Sequence, residues 1–260
     1  MYQTILVHQS PEGIATITLH RPEVYNAITS QMLQELRAAF NFLEYSRDVK
    51  VIILTGYGKG FCAGQDLSTL QNTQDLIPSQ MIKKLYNPLI MDMRNSIKPI
   101  ICKLNGIAAG AGCSLALACD MIIASQEASI SEAFINIGLV PDSGSTYFLP
   151  RIVGKLKAFE IFALGEKMNA NEALELGLIN KVYPSSELDE KVHSIALKLC
   201  TSATKSIGMI KSMLNQSYHF NLHEVLEMEA ENQDIAANTK DFKEGIAAFL
   251  EKRKPNYLGQ

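Results

Sequence analysis

Asp142 stands in the turn Pro141-Asp142-Ser143-Gly144, directly after Gly138-Leu139-Val140. A carboxylate held in an apolar pocket has a raised pKa and can carry a proton near neutrality. Upstream, Gly110-Ala111-Gly112 opens an apolar run that lasts until Asp120. A second glycine-rich segment, Gly58 to Gly64 followed by Gln65-Asp66, comes after the apolar stretch Val49 to Thr55. At a helix start the first backbone N–H groups lack partners within the helix, and the macrodipole adds positive potential there. Positions without side chains let a ligand approach those donors closely. Two such loops can aim two N–H groups at one oxygen, and losing one donor of such an oxyanion hole costs ~3–4 kcal/mol of transition-state stabilisation. Local patterns leave other readings open: tight helix–strand packing, a flexible loop, and an ordinary type I turn at Asp142. A dinucleotide fingerprint fits poorly because Leu115 takes its third glycine position, and a P-loop is excluded because no Gly-Lys-Ser/Thr follows.

The elements that must hold these residues alternate along the chain. Ile5-Leu6-Val7 and Ile14 to Leu19 read as a hairpin around Pro11-Glu12-Gly13. Thr29 or Ser30 caps a helix whose apolar positions are Met32, Leu33, Leu36, Phe40 and Leu43. Val49 to Thr55 is nearly all apolar, as a strand covered on both faces requires. Gly56 to Gly64 reads as a loop, Asn72 to Ser96 as partly helical, and Pro99 to Leu104 and Met121 to Ala124 as strands. This alternation predicts an α/β core with crossover connections. Beyond Gly154 the spacing predicts helices over Lys155–Leu164, Asn171–Leu176, Ser186–Cys200, Thr204–Gln216, Leu222–Thr239 and Asp241–Lys252, with Ile179–Tyr183 as the one strand-like stretch. Residues 1–200 are therefore expected to form the core and 201–260 a helical C-terminal region, together one functional unit.

The 260 residues, 47% hydrophobic and 20% charged, have an ordinary soluble globular composition. A net charge of -3 gives no global attraction to nucleic acid or to an anionic membrane. MYQTILVHQS lacks a basic region before an apolar core, so no signal peptide is expected. The most apolar run, Leu115 to Ala124, is too short to span a bilayer and contains Asp120. Cys62, Cys102, Cys113, Cys119 and Cys200 form no CxxC pair and have no histidines at zinc spacing. Reduced, buried thiols in a cytoplasmic protein are expected, without a metal. His8, His193, His219 and His223 read as surface or packing residues.

FCAGQDL, NGIAAGAGCSLALACD and GLVPDSGSTYFLPR, in this order and spacing, resemble the enoyl-CoA hydratase/isomerase (crotonase) superfamily. HRPEVYNAI near the start, and NANEALELGLINKVYP and EGIAAFLEKRKPNY toward the end, resemble its flanking motifs, so the similarity covers essentially the whole chain. AGQDL, LYNPLI and the Pro-Asp pair are most similar to the isomerase type that acts on ring-epoxidised phenylacetyl-CoA. The resemblance implies a spiral of repeated ββα units, with a helical C-terminal region that forms a homotrimer or a dimer of trimers. It implies a thioester oxygen held between the N–H groups of Gln65 and Ala111. Coenzyme A is then part of the substrate and no further cofactor is implied. Arg21 and Ala63 are the implied CoA contacts, Phe249 and Lys252 are implied to reach the CoA of a neighbouring subunit, and Tyr86, Ser114 and Phe134 are the implied acyl pocket.

The family's hydratases use two glutamates, and the matching positions here hold Ser114 and Phe134. Glu132 lies two residues away from the second. Its isomerases carry a single acid at the position of Asp142, which suits moving one proton between two carbons. The expected function is thus an acyl-CoA isomerase. The alternatives are an enoyl-CoA hydratase, an Asp142 nucleophile acting on an aryl-CoA, and a catalytically silent CoA-binding protein. Asp66 is expected to brace its loop and Asp120 to be a paired structural acid.

Overall fold

A computed structural model describes residues 2–70 and 78–259. In chain order these hold β1 (Ile5–Gln9), β2 (Ile14–Leu19), α1 (Ser30–Tyr45), β3 (Val51–Gly56) and β4 (Gly60–Cys62). Next come α2 (Pro78–Met81), α3 (Asn87–Asn95), β5 (Ile100–Leu104), β6 (Ile107–Ala109), α4 (Ala111–Leu117), β7 (Met121–Ser125) and β8 (Ser129–Ser131). The rest are α5 (Ser145–Leu164), β9 (Met168–Asn169), α6 (Ala170–Glu175), β10 (Lys181–Tyr183), α7 (Ser185–Cys200), α8 (Thr204–Gln216), α9 (Leu222–Ala237) and α10 (Lys240–Leu250). The stretch expected to be partly helical is so from residue 78 onward, and 71–77 lie outside the described residues.

The strands sort into two sheets, ordered β1-β2-β3-β5-β7-β10 and β4-β6-β8-β9. After the β1–β2 hairpin the large sheet is parallel, and so are β4, β6 and β8. Each turn of the chain thus adds one strand to each sheet: β3 then β4, β5 then β6, β7 then β8. Short helical segments close these turns, which makes the fold an α/β spiral of ββα units. It is this stepping that sets the ends of β4 and β6 side by side, with their glycine-rich loops.

The large sheet is covered on both faces, and the alternation within each strand shows how. Ile52, Leu54, Ile100, Cys102 and Leu104 belong to a core that also takes Leu33, Leu36 and Phe40 of α1. Val51, Ile53, Ile101 and Ile123 face the other way, against Leu188, Val192 and Ala196 of α7. The continuous apolar run at β3 is the trace of that double burial. Thr29 does cap α1, accepting from the Met32 N–H at 3.2 Å. All five cysteines are buried and unpaired.

Three expectations need correction. The Gly56–Gly64 segment is not all loop, because β4 forms within it and pairs with β6. Met168–Asn169 adds a strand, antiparallel to β8, that no periodicity marks in two residues. A helical part from Ser145 precedes the expected Lys155–Leu164 helix, the two meeting at the non-helical Gly154 (φ 77°) within α5. Near the end, Lys211 ties α8 to the core through the Met93 carbonyl at 2.8 Å and Asp120 at 2.9 Å. No residue of α9 is buried. Among the described residues no helix is long and apolar enough to cross a membrane.

Candidate active site

The loop after β4 is held open by glycine and pinned at its edges. Gly64 has φ +89°, and a Cβ there would lie 2.7 Å from the Ala109 carbonyl oxygen and 3.5 Å from the Ala111 nitrogen. The two loops therefore touch backbone to backbone, with no room for a side chain. Ile28 donates to the Gly64 carbonyl at 2.7 Å and accepts from the Asp66 N–H at 2.9 Å. This parallel bridge turns the intervening Gln65 N–H away from the Ile28 segment. Ala111 opens α4 behind Gly110 (φ 50°, ψ -124°), and no side chain caps that helix start. The Gly110 N–H is itself fixed on the Ser131 carbonyl at 2.8 Å.

Braces surround both loops. Asp66 accepts from the Ser68 hydroxyl at 2.6 Å and from Arg21 at 2.8 Å, contacts that hold its carboxyl below the usual range. That is the loop-bracing role expected for Asp66. Arg21 also donates to the Ala27 carbonyl at 2.7 Å, so the same guanidinium nitrogen is engaged within the loop scaffold. Tyr86 is buried, and its hydroxyl donates to the Gln65 side chain at 2.6 Å.

Asp142 completes the group. Ser143 (φ 53°) and Gly144 (φ 89°) follow it in left-handed conformations, and the Ser143 hydroxyl donates to its carboxylate at 2.8 Å. Burial pushes the Asp142 carboxyl up, and the Ser143 bond offsets part of that rise. Its charge in turn helps raise both the Tyr86 phenol and the Glu132 carboxyl, each already raised by burial. Asp142 is thus an electrostatic neighbour of the Tyr86 that touches Gln65. On its other side, the Ser114 hydroxyl of α4 lies 3.2 Å from the Asp142 carbonyl oxygen. The Asp142 turn is thus seated on α4 through its main chain, and its carboxylate acts electrostatically on the Tyr86 that contacts Gln65.

Residues 9–260 match the enoyl-CoA hydratase/isomerase family. The chain belongs to that family. It is 36% identical, over 264 aligned positions covering all of both chains, to 1,2-epoxyphenylacetyl-CoA isomerase of Escherichia coli K12. A probable enoyl-CoA hydratase of Rhodobacter capsulatus is 37% identical over 259 positions, covering 100% of this chain and 99% of the relative. Among solved structures, an enoyl-CoA hydratase from Bacillus anthracis superposes with a TM-score of 0.95 at 32% identity, covering 99% of this chain and 100% of that one. Isomerases and hydratases thus match this enoyl-CoA hydratase/isomerase chain about equally well, and similarity alone does not choose the reaction.

Within this family member, the structure gathers some of the expected residues and separates others. Tyr86 contacts Gln65, the Gly64 loop packs on Ala111, and the Asp142 turn meets α4 at Ser114. Phe134 is buried beside the helix start, its ring 4.0 Å from where a Gly110 Cβ would be. Ser114 lies against the Asp142 turn. It is fully buried and its hydroxyl is engaged with Ser145 at 2.8 Å and with the Gly110 and Asp142 carbonyls. Ala63 is exposed, and its N–H is bonded to the Tyr25 carbonyl at 2.9 Å. Phe249 and Lys252 are not brought to this group within one chain. Phe249 is 83% exposed and lines a groove with α9 and the C-terminal tail, while Lys252 lies just past α10 with φ 55°. The adjacent Arg253 is paired with Glu244 and Glu251 at 2.6 Å each.

Two residues carry more than sequence reasoning assigned them. Asn26 is fully buried with φ 58°, and its amide donates to the Tyr57, Gly60 and Phe61 carbonyls at 3.0, 2.9 and 3.2 Å. It fastens the HRPEVYNAI segment to the loop before Gln65. An asparagine beside a turn was the available signal, since Asn tolerates the left-handed region. Glu132 is the other. It is 1% exposed, its carboxyl is pushed up to about 7 by burial, and Ser145 donates to it at 2.8 Å.

Proposed function

We propose that this enzyme is an acyl-CoA isomerase that works through a thioester enolate. The observation that supports the reading is the partly buried Asp142, its turn seated on the helix that begins at Ala111, while Ser114 and Phe134 stand at the positions of the hydratase glutamates. The thioester oxygen accepts hydrogen bonds from the N–H groups of Gln65 and Ala111. Asp142 removes a proton from the carbon next to the thioester, and the electron pair moves onto that oxygen as an enolate. With a 3-enoyl-CoA, Asp142 then returns the proton to the distal carbon and the double bond ends conjugated with the thioester. With a ring-epoxidised phenylacetyl-CoA, the product is the seven-membered oxepin form. Hydration would need water activation as well as proton delivery, which usually takes two groups.

The CoA phosphates are assigned to Arg21 and the adenine to the exposed backbone at Ala63. Phe249 and Lys252 would reach a CoA bound to a neighbouring copy. Exposed Leu222, Leu226, Phe242 and Leu250 on α9 and α10 support assembly into a homotrimer or a dimer of trimers. Five unpaired thiols support a reducing, cytoplasmic setting.

The test is a panel of acyl-CoAs with the wild-type enzyme and Asp142→Asn, run in solvent deuterium. Isomerisation with exchange next to the thioester is expected, and Asp142→Asn should lower turnover roughly 100- to 10,000-fold. Hydrated product that survives Asp142→Asn and depends on Glu132 would instead identify a hydratase. A trapped acyl-aspartate would identify a nucleophile, and CoA binding without turnover a silent binding protein.

A further inference from the structure

Glu132 directly follows β8, and its carboxylate is buried at the meeting point of three elements of the site. One of its oxygens accepts from the Ser145 hydroxyl at 2.8 Å. Ser145 is the first residue of α5, and its N–H closes the turn on the Asp142 carbonyl at 3.0 Å. The Ser145 and Ser114 hydroxyl oxygens lie 2.8 Å apart. Ser114 in turn reaches the Gly110 and Asp142 carbonyls at 3.3 and 3.2 Å. Two buried hydroxyls thereby link the Asp142 turn to the helix that begins at Ala111.

A hydroxyl carries one proton, so a chain of hydroxyls needs an acceptor at one end to set its direction. Glu132 is that acceptor. With Ser145 donating to Glu132, the Ser145 oxygen is free to accept, and the Ser114 proton is directed toward it and the two carbonyls. Without the acceptor, the Ser145 proton has only the Ser114 oxygen to turn to, and the direction of the hydroxyl pair that seats the Asp142 turn on α4 is no longer set by Glu132.

On the reading of Asp142 as the proton carrier, we propose that Glu132 is a positioning residue that, through Ser145 and Ser114, holds the Asp142 turn in register with the Ala111 donor. It touches no reacting atom. The geometry matters because a shift of ~1 Å between a catalytic group and its substrate can cost on the order of 100-fold in rate.

The experiment measures steady-state isomerisation of trans-3-hexenoyl-CoA, and deuterium uptake next to its thioester, for wild type, Glu132→Leu, Glu132→Gln, Ser145→Ala and Asp142→Asn. Glu132→Leu and Ser145→Ala should lower kcat by about 10- to 100-fold. KM should stay within about threefold, because the CoA contacts are elsewhere. Glu132→Gln retains an acceptor oxygen and should recover most of the kcat that leucine loses, which a general packing defect would not allow. If Glu132→Leu does not fold, Ser145→Ala and Glu132→Gln carry the comparison. Near wild-type kcat in both Glu132→Leu and Ser145→Ala, with Asp142→Asn inactive, overturns the positioning role alone. A Glu132→Gln enzyme as slow as Glu132→Leu also overturns it. An active Asp142→Asn, or a wild type that neither isomerises nor exchanges, overturns the acid assignment and this inference with it.

Discussion

Asp142 and Glu132 are two carboxyls driven the same way by burial, and each leaves a different trace in pH dependence. Asp142 must be ionised to accept a proton, and its pKa is raised above the ordinary 3.8. The acid limb of kcat/KM should therefore fall at a higher pH than an exposed aspartate would give, and a pH–rate profile on the free enzyme reads it. Glu132 acts on stability. Its folded-state value is about 7 against an ordinary 4.5. Below 4.5 both folded and unfolded chains hold the proton. As pH climbs toward 7 the unfolded chain releases it while the folded chain keeps it, so folding loses on the order of 3 kcal/mol across that window. Glu132→Gln should consequently gain in Tm relative to wild type on going from pH 5 to pH 8, measured by thermal melts at both. Asp142 was legible because its turn is part of the GLVPDSGSTYFLPR motif. Glu132 was not, since nothing in ISEAF tells which of two neighbouring faces a glutamate takes.

Among the elements, the two loops depend on close backbone contact. A Cβ on Gly112 would lie 2.2 Å from the Cys62 carbonyl oxygen, and that atom is main chain. Gly112→Ala should destabilise the fold by ~1–3 kcal/mol through overpacking, read from a urea melt. It should also disturb the helix start that carries Ala111, so thioester exchange should drop with it. The long elements were legible from their spacing: the hairpin, α1, β3 and the helices from α7 onward start and stop within a few residues of expectation. The second sheet was not. Its strands are two or three residues long, too short for any periodicity, and β4 and β6 exist because distant segments supply their partners. The first half of α5 was hidden by the Gly144, Pro150 and Gly154 punctuation around and inside it.

At the scale of the whole molecule, one chain leaves apolar surface uncovered on α5 and α9 among other places. Leu156 and Phe159 on the second half of α5 are 88% and 72% exposed, and α9 buries none of its residues. Patches of this kind mark association surfaces. Sedimentation velocity should show assemblies of three or six chains, and Leu156→Asp with Phe159→Asp should shift them toward single chains. If Phe249 and Lys252 serve a neighbour's CoA, that double variant should raise KM for acyl-CoA by more than it lowers kcat.

The amino-acid sequence by itself determined the family, the glycine-rich loops, and the placing of Asp142, Ser114 and Phe134 within the family motifs, because those are matters of residue type at a given spacing. Tertiary structure alone decided which polar side chains meet inside the core. Asn26 bonded to three carbonyls, Ser114 engaged with Ser145 and the Asp142 turn, and Glu132 joined to Ser145 are contacts between segments distant along the chain or between separate elements. They arise where the spiral brings its successive turns together, and the pattern along the chain does not encode the direction in which a buried side chain points.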